Sequence, residues 1–289
     1  MPFHQTTKKH APKNRVLFAC LIAGVVGVVL STPVAAATIS ASVEAVGDPT
    51  SDFDGPHTAA SGMVTAAASS GGASGSASAE FLTLTGASGA SQSGDTAAPA
   101  VGGLTTATWE DDLTINSTGS GSVTIAFSLS GLLAASHSGE TLVGTAGYNV
   151  DIDLGGGLEI RSGSLSSESG FFGDSLDDFN IGPFTGVTFG TPLSLSVSLT
   201  THSDAAQGTL SGIGTGSASA SVTDVELVWL GFTVHDLSDD VVNGLTTTST
   251  SGTDYGTSSG IAAVPEPTTF VLAALGLLSL GMTRRRRHR

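Results

Sequence analysis

Alternation is what most restricts the folds open to this chain. In residues 122–129, Ser-Val-Thr-Ile-Ala-Phe-Ser-Leu, the side chains of Val123, Ile125, Phe127 and Leu129 share one face, while Thr124, Ala126 and Ser128 share the other. Period two is the side-chain period of a β-strand with one buried face. The pattern returns with Leu193, Leu195, Val197 and Leu199. Strands are also expected at 80–85, 107–116, 148–154, 186–189, 217–223 and 226–235, each bounded by Gly, Asn, Asp or Pro. Away from the termini, no ten-residue stretch has the 3.6-residue period of an amphipathic helix. The expected fold is all-β, an antiparallel β-sandwich-like domain over residues 38–245. Residues 61–79 and 86–103, built from Gly, Ala, Ser and Thr, read as weaker zones between strands. Residues 246–263 read as a Ser/Thr/Gly-rich linker that buries nothing. No repeat of fixed period points to a solenoid or propeller.

Charge is distributed just as unevenly. Of ten basic residues, four lie before residue 16 and five after residue 283, so Arg161 is the single Lys or Arg in residues 38–263. That stretch holds 24 of the 25 acids, which gives it a net charge of −23. A polyanion repels phosphate backbones, and nucleic-acid binding is excluded. Cations, neutral glycans and other proteins are the compatible partners.

Both ends combine a basic cluster with an apolar run. Lys8, Lys9, Lys13 and Arg15 precede an apolar stretch at 16–30, followed by small residues through Ala37. This is the layout of a secretory signal peptide, residues 1–37, with cleavage expected after Ala36 or Ala37. The Sec translocon and signal peptidase are therefore expected partners. Cys20, the single cysteine, sits before most of the apolar run and so is misplaced for a lipoprotein box. The mature chain then has no disulfide or thiolate metal site.

At the other end stand Val264-Pro265-Glu266-Pro267, an uncharged run at 270–282, and Arg284, Arg285, Arg286, Arg287, His288 and Arg289. Two prolines hold extended backbone, the run enters the bilayer, and the arginines stay on the cytoplasmic side. Residues 264–289 resemble the PEP-CTERM sorting signal of bacterial envelope proteins. The resemblance implies a transmembrane sorting helix and processing at or near Pro-Glu-Pro by an exosortase-type membrane protease. It also implies transient residence in the inner membrane, then release to the cell surface or outside. Thirteen apolar residues fall short of the ~20 that a stable spanning helix needs, as suits a temporary anchor.

Catalytic signals are thin. Gly256-Thr257-Ser258-Ser259-Gly260 fits the hydrolase elbow pattern, but no acid-then-histidine series follows it. His57, His137, His202 and His235 lack the close spacing of a zinc helix and read as ordinary exposed histidines. Acids do cluster, in pairs and triplets that suit oxygen-liganded Ca²⁺, and Asp151 and Asp153 are the candidate calcium ligands. Paired carboxylates also raise a glycosidase reading, which needs a sugar cleft lined with aromatics. Trp109 and Trp229 instead sit in strand-like surroundings and are expected to pack within or at the edge of the core. The expectation is an exported, non-catalytic structural or interaction protein of the envelope or extracellular matrix. The alternatives are a carbohydrate-binding module, with extracellular polysaccharide as partner, and then a glycoside-active enzyme.

Overall fold

The computed structural model describes residues 36–47, 50–95, 100–139, 142–207 and 215–256. The signal-peptide residues before Ala36, and the whole of 264–289 with its expected helix, lie outside the described residues. Fourteen strands follow in order: β1 Thr38–Val46, β2 Ser51–Ala59, β3 Val64–Ser70, β4 Ala73–Glu80, β5 Thr83–Asp95, β6 Val101–Asn116 and β7 Ser120–Ser138. Then come β8 Leu142–Leu154, β9 Gly157–Ser166, β10 Gly170–Gly173, β11 Phe179–Thr188, β12 Pro192–Gln207, β13 Thr215–Asp236 and β14 Thr246–Ser249. No helix occurs among the described residues.

Two antiparallel sheets are stacked, as expected for a sandwich. One runs β10-β9-β8-β12-β6-β1-β2, with β14 paired to β6; the other runs β11-β7-β13-β5-β4-β3. The alternating faces point as their period requires. Val123, Ile125, Phe127, Leu129, Leu195, Val197 and Leu199 are all buried between the sheets.

The core has two unlike halves. Around Trp109, Trp229, Tyr255, Phe127, Phe179 and Phe232 the filling is aromatic, with neighbouring ring centroids 5.2–6.3 Å apart. Toward the other end, alanine, glycine and hydroxyl side chains take over, among them Ala41, Ala77, Ala90, Ala205 and Ala220. Thr105 and Thr201, both buried, hydrogen-bond each other across 2.7 Å. The sheets approach closely there. A Cβ on Gly86 would stand 2.8 Å from Thr201 Cγ2, and one on Gly103 only 2.4 Å from the Ser74 carbonyl oxygen.

That close approach explains two departures from the sequence reading. The zones at 61–79 and 86–103 hold β3, β4, much of β5 and the start of β6. Alanine serves as their inward residue because the opposite sheet leaves room for nothing larger. Residues 80–85, expected as one strand, are split by the β4–β5 turn: Glu80 ends β4, Thr83 begins β5, and between them Leu82 takes φ +74° while the Phe81 ring reaches Trp109. The strand expected at 186–189 is the end of the longer β11.

Polar side chains close the sandwich along its sides. On one side, Asp54 accepts the Ala67 amide (2.8 Å) and Asp52 the Ser69 amide (3.0 Å), so alternate carboxylates of β2 meet alternate amides of the edge strand β3. The Ala67 amide, with His57 at 2.7 Å, holds the Asp54 carboxyl below its usual range. On the other side, Arg161 of β9 donates to the Ser175 carbonyl (2.7 Å) and to Asp177, with its guanidinium 4.5 Å from the centre of the Phe179 ring. Tyr148 adds a bond to the Asp174 carbonyl at 2.7 Å.

Candidate functional site at the C-terminal junction

The last described residues correct the linker reading. Thr246–Ser249 form β14 and pair with Asn116–Leu113 of β6, and Tyr255 is 2% exposed. Only the part of 246–263 beyond Gly256 lies outside the described residues. The cause is specific. β6 turns Ala107, Trp109, Asp111, Leu113 and Ile115 inward, so a carboxylate occupies an apolar phase of the strand. Asp111 is 4% exposed, and a buried carboxylate must be satisfied by donors.

Residues 251–255 supply them. Ser251 donates both its amide (3.1 Å) and its hydroxyl to Asp111, and the Tyr255 hydroxyl donates to Asp111 Oδ2 at 2.8 Å. The Asp112 amide adds a bond to Oδ1 at 2.9 Å. Trp229 in turn donates its indole N–H to the Tyr255 carbonyl at 2.9 Å. The Tyr255 ring packs on Trp109 and Trp229 at 5.6 and 5.2 Å between centroids. Burial, together with the neighbouring Asp111 carboxylate, pushes the Tyr255 phenol far above its ordinary pKa, so it remains a donor.

This junction also joins the two ends of the domain. β12 occupies one side of β6 through Thr114, so β14, facing Leu113–Asn116, lies on the side where β1 faces Gly102–Glu110. Both run antiparallel to β6 and so form one strand row, split opposite Asp111 and Asp112. Thr250 bridges the split by donating its amide to the Asp112 carbonyl at 3.1 Å. Ala37, at the expected cleavage point, is already buried, and Thr38 begins β1.

The sequence continues from Gly256 through six residues to a segment that matches a known family model. Residues 263–287 match the PEP-CTERM protein-sorting motif. The chain carries a PEP-CTERM sorting signal. With that signal it is an exported protein, processed by an exosortase-type membrane protease and sorted to the cell surface or beyond. No curated protein matches the chain. Val264, Pro265, Glu266, Pro267 and the arginines of the tail lie within or just after the matched segment, outside the described residues.

Other candidates have places in the fold. Asp151 and Asp153 stand on the outer face of β8; Asp151 accepts from Asn149 (2.8 Å), and Asp153 accepts the Gly156 amide of the following turn (2.8 Å). Among the described residues no three Asp, Glu, His or Cys side chains converge on a possible metal position, so the pair gains no third acidic ligand. Asp236 accepts the amides of Ser238 and Asp240 and shapes a turn. Trp109 and Trp229 are buried, as expected, and present no platform to a sugar. His202 departs from the reading as an exposed histidine: it is partly buried on β12, and that burial lowers its pKa.

The sequence shows Asp111 as one of a cluster of acids and Tyr255 as one of few aromatics, but their pairing escaped the sequence reading. Their signal was present: an acid in the inward phase of an alternating strand, and a lone aromatic in a stretch that otherwise buries nothing.

Proposed function

We propose that the folded part of this PEP-CTERM protein is a non-catalytic structural or interaction module of the cell envelope or extracellular matrix. The observation that carries the proposal is the use made of its polar groups. Asp52, Asp54, Asp111, Asp236 and Arg161 are engaged as internal staples. The junction then joins that stapled sandwich directly to its sorting signal. The apolar segments at 16–30 and 270–282 act in turn as signal peptide and temporary inner-membrane anchor, and the mature module is what remains outside.

Intact-mass analysis of the protein recovered from the host surface tests the processing half. The mature chain should begin at Ala37 or Thr38 and lack Arg284 to Arg289; a full-length tail on surface protein would refute it. A carbohydrate-binding reading draws support from Phe171 and Phe172 on the edge strand β10, which are 45% and 56% exposed. Retention on immobilised neutral glycan that disappears in Phe171→Ala/Phe172→Ala would favour that reading over a purely structural one.

A further inference from the structure

A strand at the edge of a sheet shows unpaired backbone groups to solvent. Among the described residues, three of the four sheet edges are defended against another strand. On β3 the Ala67 and Ser69 amides are already taken by Asp54 and Asp52. β2 carries Pro56 in mid-strand, and β11 carries Pro183 with two shifts of register, so neither offers an unbroken row of N–H donors. The fourth edge belongs to β9 and is only half covered. β10 pairs with residues 163–166, and the Asp174 amide then donates to the Ser162 carbonyl at 2.9 Å. There the chain turns to the inner side of the sheet: Tyr148 and Arg161 hold the carbonyls of Asp174 and Ser175, while Leu176 and Phe179 pack against the core. Residues 157–161 of β9 are left without a strand on that side among the described residues.

Strand geometry fixes which groups are free. In an antiparallel strand the N–H and C=O of one residue point to the same side, and the side alternates along the chain. The Ser162 carbonyl points away from β8, so the N–H and C=O of Ile160 and Leu158 do so too. Their side chains lie on the outer face and are 59% and 58% exposed. The stretch has no proline, no lysine and no shift of register. Free main-chain groups beside branched apolar side chains are what an added strand needs: the backbone bonds give affinity and the alternate side chains give specificity.

Charge selects the occupant. Asp153 and Asp151 stand in register with Leu158 and Ile160, and Glu159 lies between those two on the opposite face. Arg161 offers no counterweight, since its guanidinium is engaged by Asp177 and the Ser175 carbonyl. The empty position lies two strand spacings from Asp151 and Asp153, roughly 10 Å, comparable with the ~10 Å screening length of 0.1 M salt. A second copy is a poor match. To pair residues 158 and 160 of both chains, a two-fold axis must pass through Glu159, which sets the two Glu159 side chains opposite each other. A strand with Lys or Arg at that position meets an opposite charge.

We infer that residues 157–161 of β9 form a docking edge for an extended segment of another protein, which adds as a strand, sets branched apolar side chains beside Leu158 and Ile160, and carries Lys or Arg opposite Glu159. This deepens the reading of the module as an interaction protein and rests on it.

Fluorescence anisotropy on the mature protein recovered from the host surface tests the edge, with a labelled synthetic peptide of alternating valine and lysine as probe. Two control peptides keep its charge: the same residues in block order, and the same peptide N-methylated on its valines, whose N–H groups would face β9. The plain peptide should bind at least tenfold tighter than either control, and at least tenfold tighter than a version with glutamate for lysine. Ile160→Pro, which removes one free N–H from an edge that tolerates proline, should reduce plain-peptide binding to the level of the controls. Its melting midpoint, read from the buried Trp109 and Trp229, should stay that of the wild type. Equal binding of the plain and N-methylated peptides would overturn strand addition, even if Ile160→Pro failed to fold. Unchanged binding to a folded Ile160→Pro protein would overturn the edge. Equal affinity for the glutamate peptide would overturn the charge preference. A dimer that Ile160→Pro dissolves and the peptide does not displace would make a second copy the occupant in place of the partner. Failure of the proposed function is separable: it would show as a full-length tail on surface protein, whatever the peptide does.

Discussion

Tyr255 is the residue on which the junction turns, and its chemistry fixes a pH dependence. Its phenol titrates in the unfolded chain near the ordinary tyrosine value of about 10, whereas burial and the Asp111 carboxylate raise it in the fold. A raised folded pKa means that the contribution is fully present below the unfolded value and is lost as pH rises beyond it. The wild-type domain should therefore lose stability between about pH 9.5 and 11 through this group. Tyr255→Phe should cost about 1–2 kcal/mol at neutral pH, for one lost bond to a buried carboxylate, and should flatten that alkaline decline. Tyr148, also raised by burial, remains in both proteins, so the difference between them isolates Tyr255. Denaturant titrations at stepped pH measure it; parallel curves for the two proteins would refute the assignment. None of this could be read from residues 251–255 in isolation, because the donors matter only opposite an acid 140 residues earlier. What the sequence did show was Asp111 in phase with Trp109 and Leu113, an inconsistency that asks for a partner.

At the scale of the element, legibility followed side-chain size. Strands that face the aromatic half of the core announced themselves through Val, Ile, Leu and Phe at alternate positions. β3, β4 and β5 alternate just as regularly in burial, but small residues stand on both faces, with Ala66, Ala68, Ser70, Ala77, Gly86, Ser88 and Ala90 inward and Ala67, Ser69, Ser76, Ala87 and Gly89 outward, a contrast too weak to separate from loop composition. β14 was invisible for another reason: four Thr and Ser residues pair at a strand end, and their place is set by Tyr255 and Ser251 downstream. A truncation series follows. A mature chain ending at residue 256 should melt with the same midpoint as one ending at 263. A chain ending at 245 strips Asp111 of its Ser251 and Tyr255 donors and leaves it the Asp112 amide, removes the Trp229 acceptor and uncovers Trp109. Uncompensated burial of one charge costs about 3–5 kcal/mol, and typical domains hold only 5–15 kcal/mol in total. The cooperative transition of the shorter chain should therefore drop by 10 °C or more, or vanish. If the chain ending at 245 melts like the others, residues 246–256 are a linker after all.

For the whole molecule, the charge excess was legible but its sidedness was not, since sidedness depends on which phase of each strand turns outward. The β1–β6–β12–β8 sheet presents Glu44, Glu110, Asp112, Asp151 and Asp153 on its outer face. The opposite sheet presents hydroxyls, with Ser136 bonded to Ser219, Ser138 to Ser217 and Ser78 to Thr85 at 2.6–2.8 Å. That sheet also turns Glu80, Asp224 and Glu226 outward, so repulsion is greater on the first face without being confined to it. Asp151 and Asp153 are two positions apart on β8, about 7 Å, and Glu110 lies in register with Asp153 through Ser196. Those spacings fall inside the ~10 Å screening length of 0.1 M salt. Asp151→Asn/Asp153→Asn keeps an acceptor for the Gly156 amide and removes two charges. It should raise the melting temperature by about 2–4 °C in low salt, the shift expected for roughly 1 kcal/mol in a domain of this size. In 1 M salt, where screening acts over ~3 Å, the gain should disappear. Calcium separates repulsion from ligation. A Ca²⁺ site at this pair would reverse the order, making the wild type the more stable protein in millimolar Ca²⁺ but not in matched Mg²⁺. With no third Asp, Glu, His or Cys converging with the pair on one metal position among the described residues, the variant should remain the more stable in both. A reversal specific to Ca²⁺ would overturn the repulsion argument and restore these two aspartates as ligands.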